Sequence, residues 1–239
     1  MSNNSKNINI NNTWNFKDEV SYSNEIIQWI NEDVVRQISQ SNNEPSFMLE
    51  LRLKALKIFK EKSMPNFGPN LDKLDLDSIY YYVKPEWAWN NKSWEDVPDN
   101  IKNTFDRLGI PEAEKKSLAW VWAQYDSEVV YHNLKQELID KGVIFDDTSI
   151  AVNKYPELLK KYFAKFIPII DHKFAALNYA VWSWGTFMYI PKWIKIDEPL
   201  QSYFRMNKKS WWQFEHTIII LEEDSEAHYI EWCSAPKYD

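Results

Sequence analysis

Glycine is almost missing: the 239-residue chain has 4, where ordinary usage would supply about 17. A phosphate cradle needs several closely spaced glycines, so four isolated ones form neither G-x-x-x-x-G-K nor G-x-G-x-x-G. That excludes a P-loop ATPase and a dinucleotide enzyme. Cysteine occurs once, as Cys233, and a single thiol makes no internal disulfide. No apolar run approaches the roughly 18 to 20 residues that span a bilayer. The start "MSNNSKNINI" lacks the basic opening and apolar core of a secretory signal, so the expected location is the cytoplasm. Positive charge is in the minority, with 28 Lys and Arg against 35 Asp and Glu, for a net charge of −7. This excludes a general nucleic-acid or anionic-membrane surface and leaves proteins or small ions as partners. His132, His172, His216 and His228 are scattered, with no C-x-x-C, no H-E-x-x-H and no pair at i, i+4, so no metal site is expected from this chain. What the chain has instead is tryptophan, 13 in all.

Along the chain, the first dozen residues are Asn/Ser-rich and read as a frayed end. Regular structure is expected from Asn31, a candidate cap for a helix placing Val34, Val35 and Ile38 on one face. "SFMLELRLKALKIFKEK" after Pro45 repeats Phe47, Leu51, Leu56 and Phe59 at helical spacing. "SIYYYVKP" reads as a strand, and "SWEDVPDNIKNTFDRLGIP" as a helix stopped by Gly109 and Pro111. "PEAEKKSLAW" predicts another helix. A helix over 132–141 ended by Gly142, a short strand over 143–145, and a helix in "YPELLKKYFAKFIP" follow. Beyond about residue 173 the texture turns to short β-rich runs, "TFMYIPKWIKI", "SYFR", "FEHTIIILEE" and "AHYIEW", divided by polar turns. Such a β layer leaves an edge uncovered, which suggests a fragment of a longer chain.

Cys233, read from its neighbours alone, fits a small buried hydrophobe on a strand. A reactive thiolate would need His228 or Lys237 nearby to lower its pKa, against the opposing charge of Glu231. Acidic runs such as "LEEDSE" read as solvated loops. "YDSEVVYH" carries Asp, Glu and His in close succession but points them in different directions. Neither paired carboxylates nor a nucleophile–base pair stands at a readable spacing, so an ordinary enzyme is not expected.

The stretches "NEPSFMLELRLKAL", "SWEDVPDNIKNTFDRLGIPEAEKKSLA", "AQYDSEVVYHNLK", "KFAALNYAVWS", "PLQSYFRMN", "QFEHTIII" and "YIEWCSAPKYD" closely resemble, in order, the first half of SufB chains. These are scaffold subunits of the SufB/SufD family in the Suf iron–sulfur cluster assembly machinery. The resemblance implies an α+β chain: a flexible segment over 1–30, an N-terminal α-rich domain over 31–172, and over 173–239 the first coils of a truncated right-handed parallel β-helix. In "YIEWCSAP", Cys233 is similar to the family cysteine that accepts sulfur as a persulfide from a desulfurase-linked donor. The resemblance also implies a transient iron–sulfur cluster with ligands in the missing C-terminal half. The implied partners are the SufC ATPase and SufD or a second SufB. The chain would be a scaffold and sulfur acceptor, not an enzyme; the alternative is a truncated or degenerate module that docks partners but builds no cluster.

Against this family the excess tryptophans fall into place. Trp120, Trp122, Trp184, Trp193, Trp212 and Trp232 stand where the family has glycine, with Trp14 and Trp29 as further additions, whereas Trp94 and Trp182 match family tryptophans. Such a pattern results when UGA, read as glycine in some bacterial lineages, is translated as tryptophan. Glycine serves where φ is positive or backbones approach closely, so indoles at these places predict local strain. His216, where arginine is usual, is a milder departure.

Overall fold

The computed structural model describes residues 22–27, 30–71, 73–85, 120–125, 128–134, 136–207 and 212–237, with residues 17, 99, 103 and 209. The frayed first dozen residues and the helix read in "SWEDVPDNIKNTFDRLGIP" lie outside this set, apart from Asp99 and Asn103.

The helical layer begins where capping chemistry permits. Asn31 accepts a hydrogen bond from Val34 N at 3.0 Å and opens α1 (Glu32–Ser41), which buries Val34, Val35 and Ile38 as its spacing predicts. α2 (Ser46–Glu61) follows Pro45 and turns Met48, Arg52, Ala55, Leu56 and Phe59 inward. The apolar face expected from Phe47 and Leu51 is thus rotated, and those two are only half-buried. Further on, α4 (Thr148–Lys154) is capped by Asp147, and α5 (Pro156–Tyr162) has proline in its first turn, where the missing N–H costs nothing. His172 accepts from Phe174 N and Ala175 N, both at 3.2 Å, and starts α6 (Lys173–Val181), which packs along α2.

Three sheets complete the mixed α+β architecture. β1 (Tyr22–Ile27) pairs antiparallel with β2 (Tyr80–Pro85). A four-stranded sheet has the order β4 (Glu128–Leu134), β3 (Trp120–Tyr125), β7 (Leu200–Arg205), β9 (Tyr229–Ser234). A three-stranded sheet has the order β5 (Ile144–Asp147), β6 (Thr186–Ile190), β8 (Ile218–Leu221). The β6–β8 and β7–β9 pairs are parallel, with Phe187 opposite Ile218 and Phe204 opposite Cys233. The chain therefore passes through one sheet and then the other, and does so again one layer on. Lys192 meets Glu223 across this step, 31 residues later in sequence, and Lys195 meets Glu226 at the same separation. The acidic run "LEEDSE" is thus partly a set of partners for the preceding turn.

Four expectations are corrected. Regular structure appears at Tyr22, ahead of Asn31 where it was expected to begin. Residues 128–134 are a strand, and the helix expected over 132–141 shrinks to α3 (Gln136–Asp140), because β4 finds a partner in β3 and sheet pairing overrides the helical signal. Trp120, assigned to a helix, opens β3 for the same reason. The change of texture placed at 173 comes after Val181, since "KFAALNYAV" is helical. The four β-rich runs beyond it do become β6, β7, β8 and β9.

Two apolar clusters fill the layers. One joins α1, α2, α4, α5 and α6 to Phe187, Ile218 and Ile220; the other lies within the sheets around Phe145, Trp184, Met188, Leu200 and Phe204. Both clusters reach the stacked strands, so the helical layer acts as a platform that fixes β6, and through it β8.

Candidate functional site

Cys233 lies on β9 in register with Phe204 of β7. Residues two apart on a strand share a face, so Tyr229, Glu231 and Cys233 continue the row of Leu200, Ser202 and Phe204, all buried. Among the described residues β9 is the last strand of its sheet, and Cys233 is exposed there.

Its surroundings are polar. Gln213 donates from Nε2 to Sγ at 3.8 Å. The carboxyls of Glu215 and Glu231 and the thiol each place an atom within 4.8 Å of the others. Behind them runs a chain of hydroxyls. Tyr229 donates to Glu231 Oε2 at 2.6 Å, and Thr186 Oγ1 lies 2.7 Å from the Tyr229 hydroxyl and 3.0 Å from Ser202 Oγ. Thr217 donates to Glu215.

The electrostatics follow from partial enclosure next to like charge. Burial pushes the Cys233 thiol up to about 11; Gln213 opposes the shift, while Glu231 and Glu215 add to it. Burial raises the Glu215 carboxyl to about 7, with Thr217 working against the shift and the charge of Glu231 and a hydrogen bond to it working for it. His228 and Lys237, the cations considered from sequence, are not among the groups acting on the thiol. Three donors without a histidine would admit an ion by spacing alone, and nothing else at the site calls for one.

Glu215 and Gln213 went unnoticed in the sequence. Glu231 was readable, at two residues from Cys233 on a strand, but Glu215 reaches the thiol only because β8 stacks on β6 and swings the segment before it alongside β9. The carboxyls and the thiol are thus brought together from two layers, at a spacing that no local pattern shows.

A family model for the SufBD protein N-terminal region matches residues 24–202. The chain belongs to the SufBD family. It is 56% identical over 209 residues to an iron–sulfur cluster assembly SufBD family protein of Staphylococcus aureus strain MRSA252, covering 87% of this chain and 45% of the relative. The strain USA300 counterpart is 55% identical, and a Staphylococcus haemolyticus (strain JCSC1435) relative 54%, over the same shares. The chain thus spans about half the length of the curated relatives it matches. Their names carry the SufBD family as a whole, so membership is stated at that level and not for SufB alone. Cys233 lies beyond the matched 24–202 segment. No helix among the described residues is long and apolar enough to cross a membrane.

The tryptophans at family glycine positions behave unequally. Trp193 has φ 62 and is exposed, in the left-handed region that favours glycine. Trp184 is buried against Phe204 at a ring separation of 4.4 Å, and its indole N–H has no hydrogen-bond acceptor among the described residues. Trp232 is half-exposed and stacks on Tyr203. The next residue after Trp184 is a retained glycine: a Cβ on Gly185 would sit 2.4 Å from the His216 carbonyl oxygen. His216 itself is half-buried and stacked on Phe163 at 4.2 Å. Burial and the nearby Arg52 charge lower its pKa to about 3. Asn178 donates from Nδ2 to the Glu215 carbonyl, which turns its Oδ1 toward the His216 Nδ1–H at 3.0 Å.

Proposed function

We propose that the chain is a component of iron–sulfur cluster assembly in which Cys233 accepts sulfane sulfur as a persulfide. The observation that carries the reading is the sequence context of this thiol, "YIEWCSAP", which is similar to that of the family's sulfur-accepting cysteine. Sulfur transfer requires that a donor's persulfide reach the acceptor, so access matters as much as acidity. Relatives named as iron–sulfur cluster assembly proteins support the same reading.

In this reading the parallel β6–β8 and β7–β9 pairs, with charged contacts recurring 31 residues apart, are the opening coils of a right-handed β-helix that follows an N-terminal α-rich domain over 31–172. Each coil of such a solenoid rests on its neighbour. The chain acts as a scaffold in the cytoplasm and has no catalytic turnover of its own. The SufC ATPase, SufD or a second SufB, and a desulfurase-linked sulfur donor are its partners, and the cluster's ligands come from outside this chain.

The test is incubation with a cysteine desulfurase, its sulfur-transfer partner and cysteine, followed by mass spectrometry of the peptide carrying Cys233. A gain of one sulfur that is absent in Cys233→Ser is expected. A chain that never acquires that mass overturns the sulfur-acceptor reading.

A further inference from the structure

We propose that Glu215 and Glu231 form an acid–base pair for sulfur transfer at Cys233: Glu215 protonates the incoming persulfide and Glu231 takes the proton of the thiol. This inference rests on the sulfur-acceptor reading of Cys233.

The chemical need comes first. A hydropersulfide is more acidic than a thiol, so near neutral pH the donor arrives as R–S–S⁻. Its outer sulfur is then electron-rich and resists attack by a second anion. The acceptor has the reverse problem, because its thiol is held protonated by burial and by two neighbouring acidic groups. Productive transfer needs one proton delivered to the donor and another removed from the acceptor.

The geometry supplies both. The three groups converge within 4.8 Å from two separate chain segments, close enough for proton exchange through one intervening water. Glu215, raised to about 7, keeps its proton below about pH 7 and is matched to the acid role there. Glu231 shares the thiol's face of β9 and is held from behind by the Tyr229 hydroxyl at 2.6 Å, itself anchored on Thr186. Gln213 fixes the sulfur from the far side. The groups facing the thiol are thus Glu231 and Tyr229 from β9, with Gln213, Glu215 and Thr217 from the segment leading into β8. Arg205, the nearest cation in register, pairs with Ser234, on the other face of β9.

The step balances. Glu215 gives its proton to the outer sulfur of R–S–S⁻, and Glu231 takes the proton from Sγ. The Sγ lone pair forms the new S–S bond at the outer sulfur, and the donor's own S–S bond breaks with its electron pair leaving on R–S⁻. Glu231 returns its proton to that thiolate, and the new hydropersulfide on Cys233 returns its proton to Glu215. Overall, R–S–S⁻ and Cys233–SH become R–SH and Cys233–S–S⁻, with no net oxidation or reduction.

The experiment uses the full 239-residue chain, cysteine hydropersulfide as the donor, and rates of sulfur gain at Cys233 measured from pH 5 to 9. The wild-type rate is expected to fall as pH rises through about 7, where Glu215 loses its proton. Glu215→Gln is expected to lose that limb and to be about 10²-fold slower at pH 7, and Glu215→Asp to keep the limb. Iodoacetamide, which asks for no proton, is expected to alkylate Cys233 in Glu215→Gln at least as fast as in wild type, since an acidic neighbour has gone. Sulfur gain by Glu215→Gln and Glu231→Gln at the wild-type rate or faster overturns the proton-transfer role and leaves the acceptor reading standing. Alkylation slowed in parallel with transfer also overturns it, because the carboxyls would then only be holding the site together. A wild-type chain that gains no sulfur at any pH overturns the acceptor reading, and this inference falls with it.

Discussion

Arg52 grips both carboxylate oxygens of Glu44, from Nε at 2.8 Å and from Nη2 at 2.5 Å, with the two side chains fully enclosed. The same guanidinium donates to the Ala180 carbonyl at 3.1 Å and lies 4.5 Å from the centre of the Trp182 ring. Arg52 therefore ties α2 to the end of α6, at the point where the chain leaves the helical layer for the sheets. Replacing Glu44 by Gln strands a buried cation, and the expected loss is about 3 to 5 kcal/mol. Urea unfolding followed by circular dichroism measures it. Arg52→Met combined with Glu44→Leu, which removes both charges, is expected to recover most of that loss.

Asp147 is fully buried; it caps α4 through Ser149 N at 2.7 Å, and its second oxygen lies 3.4 Å from Gly185 N. Burial raises its carboxyl to about 7 despite the hydrogen bonds from Ser149 and Gly185. A folded-state pKa above the unfolded value of 3.8 means that the native chain binds the proton more tightly. Its stabilising contribution is complete below pH 3.8 and is lost as pH rises through about 7. The melting temperature is expected to decline across this window, and Asp147→Asn to flatten the decline. Equal slopes in both proteins would remove Asp147 as the cause.

Trp193 occupies a left-handed backbone position with its ring in solvent. A residue with a Cβ pays roughly 1 to 2 kcal/mol there. Trp193→Gly is expected to raise stability by about 1 kcal/mol, net of the greater freedom of glycine when unfolded. At Trp184, which packs inside the sheets, the same change opens a cavity and is expected to lower stability by about 3 to 5 kcal/mol. Thermal melts of the two variants should therefore move in opposite directions.

The thiol of Cys233 stands at about 11, so little thiolate exists at neutral pH. Alkylation by iodoacetamide is expected to be slow at pH 7 and to gain about tenfold for each pH unit toward 10. A rate at pH 7 matching an unstructured cysteine peptide would contradict the enclosure described around the sulfur.

Local signals carried much of the fold. Asn31, Pro45, Pro156 and Gly142 mark helix ends by chemistry that acts within a few residues, and all four lie at or beside the boundaries observed. β4 was misread because "EVVYHNL" has mixed propensity, and only its pairing with β3 decides the outcome. The helix α6 was missed because its residues are buried on most sides, which erases the polar–apolar period. At the site, Glu231 could be placed beside Cys233 by strand alternation, whereas Glu215 and Gln213 could not.

By itself the sequence determined the family, several helix ends and the four β-rich runs, because these depend on residue identity and near-neighbour spacing. Only the tertiary structure decided that Glu215, Glu231 and Cys233 meet. Their meeting depends on the register between successive parallel layers, which is set by packing of β6 and β8 against the helices and by contacts 31 residues apart. No local pattern in the chain encodes a distance of that kind.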